Sequence, residues 1–182
     1  MEEIIIRRAK NSDAEEWYRL ALLVGDKAYA HIFPPTVSDE KTREADEKMI
    51  NEKVARFKSR TLNKDGNISF VAVANKKMVA LLDAFTLSGY DHYKELGYAE
   101  LEGIYIHPDY QGRGLGAKLF NKTKKELVKL GCDKMMIGVL EQNTQARAVY
   151  EKWGGKLDTS YRESFIRSNR EYFEVFYLYQ LT

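Results

Sequence analysis

The chain opens on a run of isoleucines and then changes to helical spacing. Residues Ile4–Arg8 read as a short β-branched strand. Asn11, Ser12 and Asp13 offer N-caps to a helix whose Trp17, Leu20, Ala21 and Val24 share one face. Pro34-Pro35 breaks the chain after the aromatic stretch 29–33, and the charged stretch 38–60 carries Ala45, Met49, Val54 and Phe57 as an imperfect stripe, which predicts a second helix. Asp65-Gly66 signals a turn, and the pattern then becomes strand-like. Stretches 68–74 and 78–87, joined by a tight reversal at Asn75-Lys76-Lys77, predict a hairpin. A polar, aromatic loop is expected over 89–97 and a strand over 98–106, stopped by His107-Pro108-Asp109. Leu115, Leu119, Thr123, Leu127 and Leu130 mark a helix that ends at Gly131. A strand at 135–140, a helix at 144–153 capped by Asn143 and closed by Gly154-Gly155, and strands at 156–162 and 172–181 complete the chain.

The resulting order, β-α-α-β-β-β-α-β-α-β-β, mixes a strand meander with helical crossovers. It predicts an α/β (α+β) fold with about seven strands in a mixed sheet and four helices. A length of 182 residues fits one domain over 1–182, and 44% apolar content with 31% charged residues excludes wholesale disorder. A net charge of +2 argues against a general nucleic-acid binder. No apolar run approaches a membrane span and the first ten residues carry no signal-peptide pattern, so a cytoplasmic protein with no membrane partner is expected. The single cysteine, Cys132, leaves no intrachain disulfide and reads as packing rather than a nucleophile. His31, His92 and His107 lack metal-ligand spacing, so no metal is expected.

Chemistry concentrates in Gln111-Gly112-Arg113-Gly114-Leu115-Gly116, between a strand and a helix. Alternating glycines let the backbone curl with its N–H groups inward, and the helix adds its positive end, which together suit a pyrophosphate. Arg113 and Lys118 could neutralise further phosphate charge. Gly112-x-Gly114-x-x-Ala117 matches a dinucleotide fingerprint, but residues 107–111 separate it from its strand and only 65 residues follow Ala117. A Walker A loop would need a hydroxyl where Leu119 stands.

Gln111-x-x-Gly114-x-Gly116 after a strand ending Ile104-Tyr105-Ile106 resembles the acetyl-CoA-binding motif of the GNAT N-acetyltransferase superfamily. The likeness continues in the segment from Asn143 to Gly155, where an Asn opens a helix and Tyr150 follows seven residues on. The superfamily usually has Gly-Phe where Gly155-Lys156 stands, and often Leu or Phe in place of Trp153; these departures touch packing. The specific motifs cover about 100–155.

This resemblance implies a GNAT-like sheet whose central strands splay to admit coenzyme A. It implies transfer of an acetyl group from acetyl-CoA to a primary amine by direct attack in a ternary complex. The cofactor-binding residues it implies are Ile104, Tyr105, Ile106, Gln111, Gly112, Arg113, Gly114, Leu115, Gly116, Asn143 and Tyr150. Glu100 falls at the base position, with Glu102 as its alternate, and Tyr150 falls at the general-acid position. Both glutamates project from one strand face, and their proximity is expected to raise one pKa. The acceptor site is expected around Tyr29, Phe33, Tyr90 and Tyr93, with Asp91 and Glu95, from segments 29–35, 89–97 and 164–170. These residues suit a small-molecule or peptide amine, whereas Arg162, Arg167 and Arg170 suit an anionic acceptor, and the two remain open. A homodimer is among the assemblies allowed. The rival readings are a non-catalytic CoA-binding module and, more weakly, a nucleotide-dependent oxidoreductase.

Overall fold

The computed structural model describes residues 2–33, 48, 51–52, 54–55 and 66–182. Strand β1 (Ile4–Arg8) leads through a 3-10 turn (Asn11–Asp13) into α1 (Ala14–Tyr29). Then follow β2 (Asn67–Ala74), β3 (Lys77–Phe85), α2 (Asp91–Glu95), β4 (Ala99–Ile106), a 3-10 turn (Pro108–Tyr110) and α3 (Leu115–Lys129). The chain finishes with β5 (Lys134–Leu140), α4 (Thr144–Lys152), β6 (Lys156–Arg167) and β7 (Arg170–Gln180). The seven strands form a mixed sheet in the order β1-β2-β3-β4-β5-β7-β6. Of the second expected helix, Lys48, Asn51, Glu52, Val54 and Ala55 are helical, and the rest lies outside the described residues.

The chain divides into two compact units. The first joins Met1–Asp83 to Ile104–Leu119. Here β1 runs antiparallel to β2, with Ile4 opposite Ala74 and Arg8 opposite Phe70. The apolar face of α1 (Ala14, Trp17, Leu20 and Val24) packs with Val71, Met78 and Leu81, and Val54 and Tyr105 join the edge of that cluster. Removal of this area from water is the main force holding α1 to the strands. The reversal between β2 and β3 uses Asn75 and Lys76, both left-handed at φ 48° and 64°, as a type I′ hairpin requires.

Asp13 ties the start of α1 to β1. The Arg7 guanidinium donates to its two oxygens at 2.7 and 2.8 Å, and the Lys10 N–H donates at 2.7 Å. Burial pushes the Asp13 pKa up, but the Arg7 and Lys10 hydrogen bonds and charges outweigh it and hold the carboxyl below its ordinary value.

The second unit joins Ala84–Gly103 to Phe120–Thr182. Strand β7 pairs antiparallel with β5 on one side and β6 on the other, and the start of β4 pairs parallel with β5 at Ala99–Met135 and Glu100–Met136. Two expectations are corrected here. Segment 164–170 is not a connection: both strands continue through it, closed by Ser168 and Asn169 in left-handed conformation, φ 49° and 58°. Segment 89–97 contains α2, whose five residues are too few for a self-supporting helix. The helix forms because the Tyr93 ring is fully buried against Tyr98, Tyr161 and Phe176. Among the described residues, no helix is long and apolar enough to cross a membrane.

Because Asp13 is acidified by folding, its stabilising share is complete above the ordinary carboxylate pKa of about 3.9 and is lost as pH falls through the lower folded value. Asp13→Asn is therefore expected to lower Tm at pH 7, and the gap to wild type should close on acidification toward pH 3 in thermal melts.

Candidate active site

The glycine loop lies within the first unit, between β4 and α3. Gly112 and Gly114 are left-handed, at φ 72° and 75°, whereas Gly116 is buried as the second residue of α3. Two glycines thus shape the turn, and the third lies in the helix. A Cβ added at Gly112 or Gly114 would meet nothing within 4 Å, so the space above the loop is open. The Gly114 carbonyl accepts the Lys118 N–H at 3.1 Å and begins α3, whose first-turn N–H groups have no intrahelical acceptors. A curled backbone, an open space and a helix N-terminus fit a diphosphate.

The surrounding side chains brace this turn. Gln111 Nε2 donates to the Ile106 carbonyl at 3.0 Å, tying the loop to the end of β4. The Arg113 guanidinium lies 5.0 Å from the Tyr110 ring centroid, and the Tyr110 hydroxyl donates to Glu2 at 2.9 Å. Leu115 is buried and Tyr105 packs against the α1 cluster, so neither side chain lines the loop's open side. Tyr29 and Phe33, also in this unit, face each other with ring centroids 5.7 Å apart.

The candidate acid–base groups lie in the second unit. Glu100, on β4, is 7% exposed, and its Oε2 accepts the Gly89 N–H at 2.7 Å and the Ser88 hydroxyl at 3.0 Å. Burial raises its pKa, the Gly89 and Ser88 hydrogen bonds oppose the rise, and the Glu102 charge adds to it. The expected cause, two neighbouring carboxylates, is the smallest contribution. Glu102 itself is exposed.

Ser88 also accepts the Tyr90 N–H at 3.1 Å, and the Tyr90 hydroxyl donates to Glu174 at 2.8 Å. Tyr90 is half-buried, its ring edge-on to Phe176 at 5.0 Å. Tyr93 departs from the acceptor reading, because its ring has no accessible surface and its hydroxyl donates to Asp158 at 2.9 Å. Cys132 is partly buried, and burial pushes its thiol pKa up, which suits packing better than nucleophilic chemistry.

Helix α4 presents Tyr150, which is 9% exposed. Asn143 caps that helix, its Oδ1 accepting the Ala146 N–H at 3.1 Å. At the other end Gly154 is left-handed, φ 90°, with its N–H on the Glu151 carbonyl and the Gly155 N–H on the Tyr150 carbonyl. That pair of bonds is a Schellman closure. The Tyr177 hydroxyl donates to Glu151 at 2.7 Å and accepts from Arg147 Nε at 3.2 Å. Ser88, Tyr177 and Tyr179 escaped the sequence reading; the only trace they left was the tyrosines alternating along β7.

A family model described as "Acetyltransferase (GNAT) family" matches residues 27–155, a span holding the glycine loop, Glu100, Asn143 and Tyr150. The chain belongs to the GNAT acetyltransferase family. An acetyltransferase of Yersinia pestis is 34% identical over 93 residues, which is 51% of this chain and 60% of that protein. The match therefore spans less than two thirds of that relative's length. The PaiA N-acetyltransferase of Thermoplasma acidophilum, crystallised with coenzyme A, superposes with a TM-score of 0.67 at 20% identity, covering 98% of this chain and 99% of that one. YncA of Salmonella typhimurium, solved with acetyl-CoA, gives 0.67 at 19% identity, covering 98% and 94%. At these identities the structural likeness bears on the fold, and the fold is that of the GNAT family.

Replacing Gly112 or Gly114 by alanine in this GNAT loop is expected to destabilise by about 1–2 kcal/mol through backbone strain alone, since no atom obstructs the new Cβ. Gly155→Ala is expected to lose more, because its Cβ would lie 2.6 Å from the Tyr179 oxygen. Urea unfolding of the three variants measures the difference.

Proposed function

We propose that the protein is an acetyl-CoA-dependent N-acetyltransferase acting on a primary amine. The observation that carries this reading is the loop of two left-handed glycines opening α3, one 3-10 turn beyond β4, within a chain of the GNAT family. Bound acetyl-CoA supplies an activated thioester carbonyl and a thiolate leaving group.

The N–H groups at Gly112, Gly114 and the start of α3 receive the diphosphate, and Arg113, held on Tyr110, adds positive charge. Ile104 and Ile106 offer backbone groups to the pantetheine arm, and the Ile106 N–H serves the thioester oxygen as negative charge grows there. Tyr105 and Leu115 contribute main chain, since their side chains face the core.

An alkylamine of pKa about 10.4 is mostly ammonium at neutral pH and must lose a proton before its lone pair attacks. Glu100 takes that proton. Its position, buried enough to bind protons more readily yet held by two donors, suits a base that is stronger than an ordinary glutamate and fixed in orientation. The exposed Glu102 is the weaker candidate. As the nitrogen–carbon bond forms and the carbon–sulfur bond breaks, Tyr150 gives its phenolic proton to the sulfur. The nitrogen sheds its second proton to solvent as the amide forms, and Tyr150 is reprotonated through solvent from the proton taken up at Glu100, so ammonium and acetyl-CoA give amide, free thiol and one released proton. Asn143 sets the start of the helix that carries Tyr150. Tyr90, linked to Glu174, and the Tyr29–Phe33 pair are the acceptor-facing candidates that retain exposed surface.

The deciding experiment supplies acetyl-CoA with a panel of amines and reads free thiol release. Turnover is expected, and CoA binding without turnover across polyamines, aminoglycosides, amino acids and peptides would favour a non-catalytic module. Tyr150→Phe should lower kcat by about a hundredfold while leaving CoA affinity in calorimetry nearly unchanged. In wild type the acidic limb of kcat/KM should lie above the ordinary glutamate value of about 4.3, and Glu100→Gln should abolish that limb. Folding favours protonated Glu100, so its stabilising share is present at low pH and lost as pH rises through the raised folded value. Glu100→Gln should therefore match or exceed the wild-type Tm at pH 8 despite its lost activity.

A further inference from the structure

The helix bearing Tyr150 has nine residues, too few to hold its own position, and it is pinned from β7. Tyr177 and Tyr179 alternate along that strand and so share a face. The Tyr177 hydroxyl joins Arg147 to Glu151, on either side of Tyr150, and its ring lies edge-on to the Tyr150 ring at 6.0 Å and 64°. The Tyr179 hydroxyl donates to the Tyr150 carbonyl at 2.9 Å in a buried bond. That carbonyl therefore accepts two hydrogen bonds, one from Tyr179 and one from the Gly155 N–H at 3.0 Å.

Gly155 shows that this arrangement has a steric requirement. Gly154 alone supplies the left-handed residue that ends α4, and Gly155 is not left-handed, so backbone conformation does not call for a glycine there. A Cβ at that position would lie 2.6 Å from the Tyr179 oxygen, 2.7 Å from its Cζ and 3.0 Å from the Tyr150 carbonyl oxygen. The missing side chain is the notch into which the Tyr179 hydroxyl fits. Aromatic packing against Phe120, 5.2 Å between centroids, would be served equally by phenylalanine. The hydroxyl serves the bond to Tyr150.

We propose that Tyr179 is a positioning residue for Tyr150: its hydroxyl, admitted by Gly155, fixes the main chain from which the Tyr150 phenol reaches the reacting sulfur. This rests on the reading of Tyr150 as proton donor. Proton transfer in the transition state is sensitive to sub-ångström placement, so a buried tether at the donor's own carbonyl acts on the rate more than on binding.

The test is a double-mutant cycle in the full chain. Tyr179→Phe keeps the ring and should lower kcat about tenfold, with the KM for acetyl-CoA and the calorimetric affinity for CoA nearly unchanged. In a Tyr150→Phe background the same change should lower kcat no further. Carbon-13 tyrosine spectra give a reading independent of turnover: the Tyr150 resonance, assigned by its loss in Tyr150→Phe, should shift in Tyr179→Phe. An equal loss of kcat in both backgrounds, an undiminished kcat in Tyr179→Phe, or an unmoved Tyr150 resonance overturns the positioning role while leaving Tyr150 as donor intact. Should Tyr150→Phe alone retain full kcat, the donor assignment itself fails, a result that no Tyr179 variant can mimic.

Discussion

A carboxylate withdrawn from water must either take a proton or be met by donors, and Glu100 is balanced between these outcomes. Its neighbourhood is organised around that balance. The Gly89 N–H and the Ser88 hydroxyl meet one oxygen, and Ser88 in turn receives the Tyr90 N–H, which starts α2. The Tyr90 hydroxyl then reaches Glu174 on β7, passing over Gly138, whose Cβ would lie 3.3 Å from that oxygen. A carboxylate embedded in a hydrogen-bonded chain keeps one orientation. Losing one donor would leave the charge poorly compensated, which is why such chains act as units.

Much of the architecture was legible because burial leaves periodic marks. The stripe Trp17, Leu20 and Val24 and the near-continuous apolar runs of β2 and β3 coincide with buried faces. The failures fall where burial is slight or nonlocal. Strand β6 is exposed along nearly its whole length, so it lacks the alternation that announces a strand, and its polar end carries the residue types of a connection. Helix α2 is set by one tyrosine buried among rings from β6 and β7, far away in sequence. Local propensity carries no trace of such a contact.

The site divides along the same line. Gly112 and Gly114 could be singled out because a backbone conformation demands that residue type, and the left-handed φ values agree. Gly116 imitates the pattern yet is helical, since spacing alone does not distinguish a curled backbone from a helix's first turn. Asn143 and Tyr150 stood out through family likeness, but what holds them did not. Trp153, where the family often has a smaller residue, stacks on Phe120 at 4.6 Å, so that departure is met by packing within the second unit.

Among the described residues, strand β6 ends the sheet order, with no strand paired to its outer side. Such an edge is a template for fibril growth unless something spoils it. Here the register breaks between Leu157 and Arg162, and Arg162, Glu163 and Arg167 place opposite charges along the rim. A stray strand would meet a kinked, charged border, which protects the folded protein against amyloid-like stacking even though Ile166 stands almost bare to water.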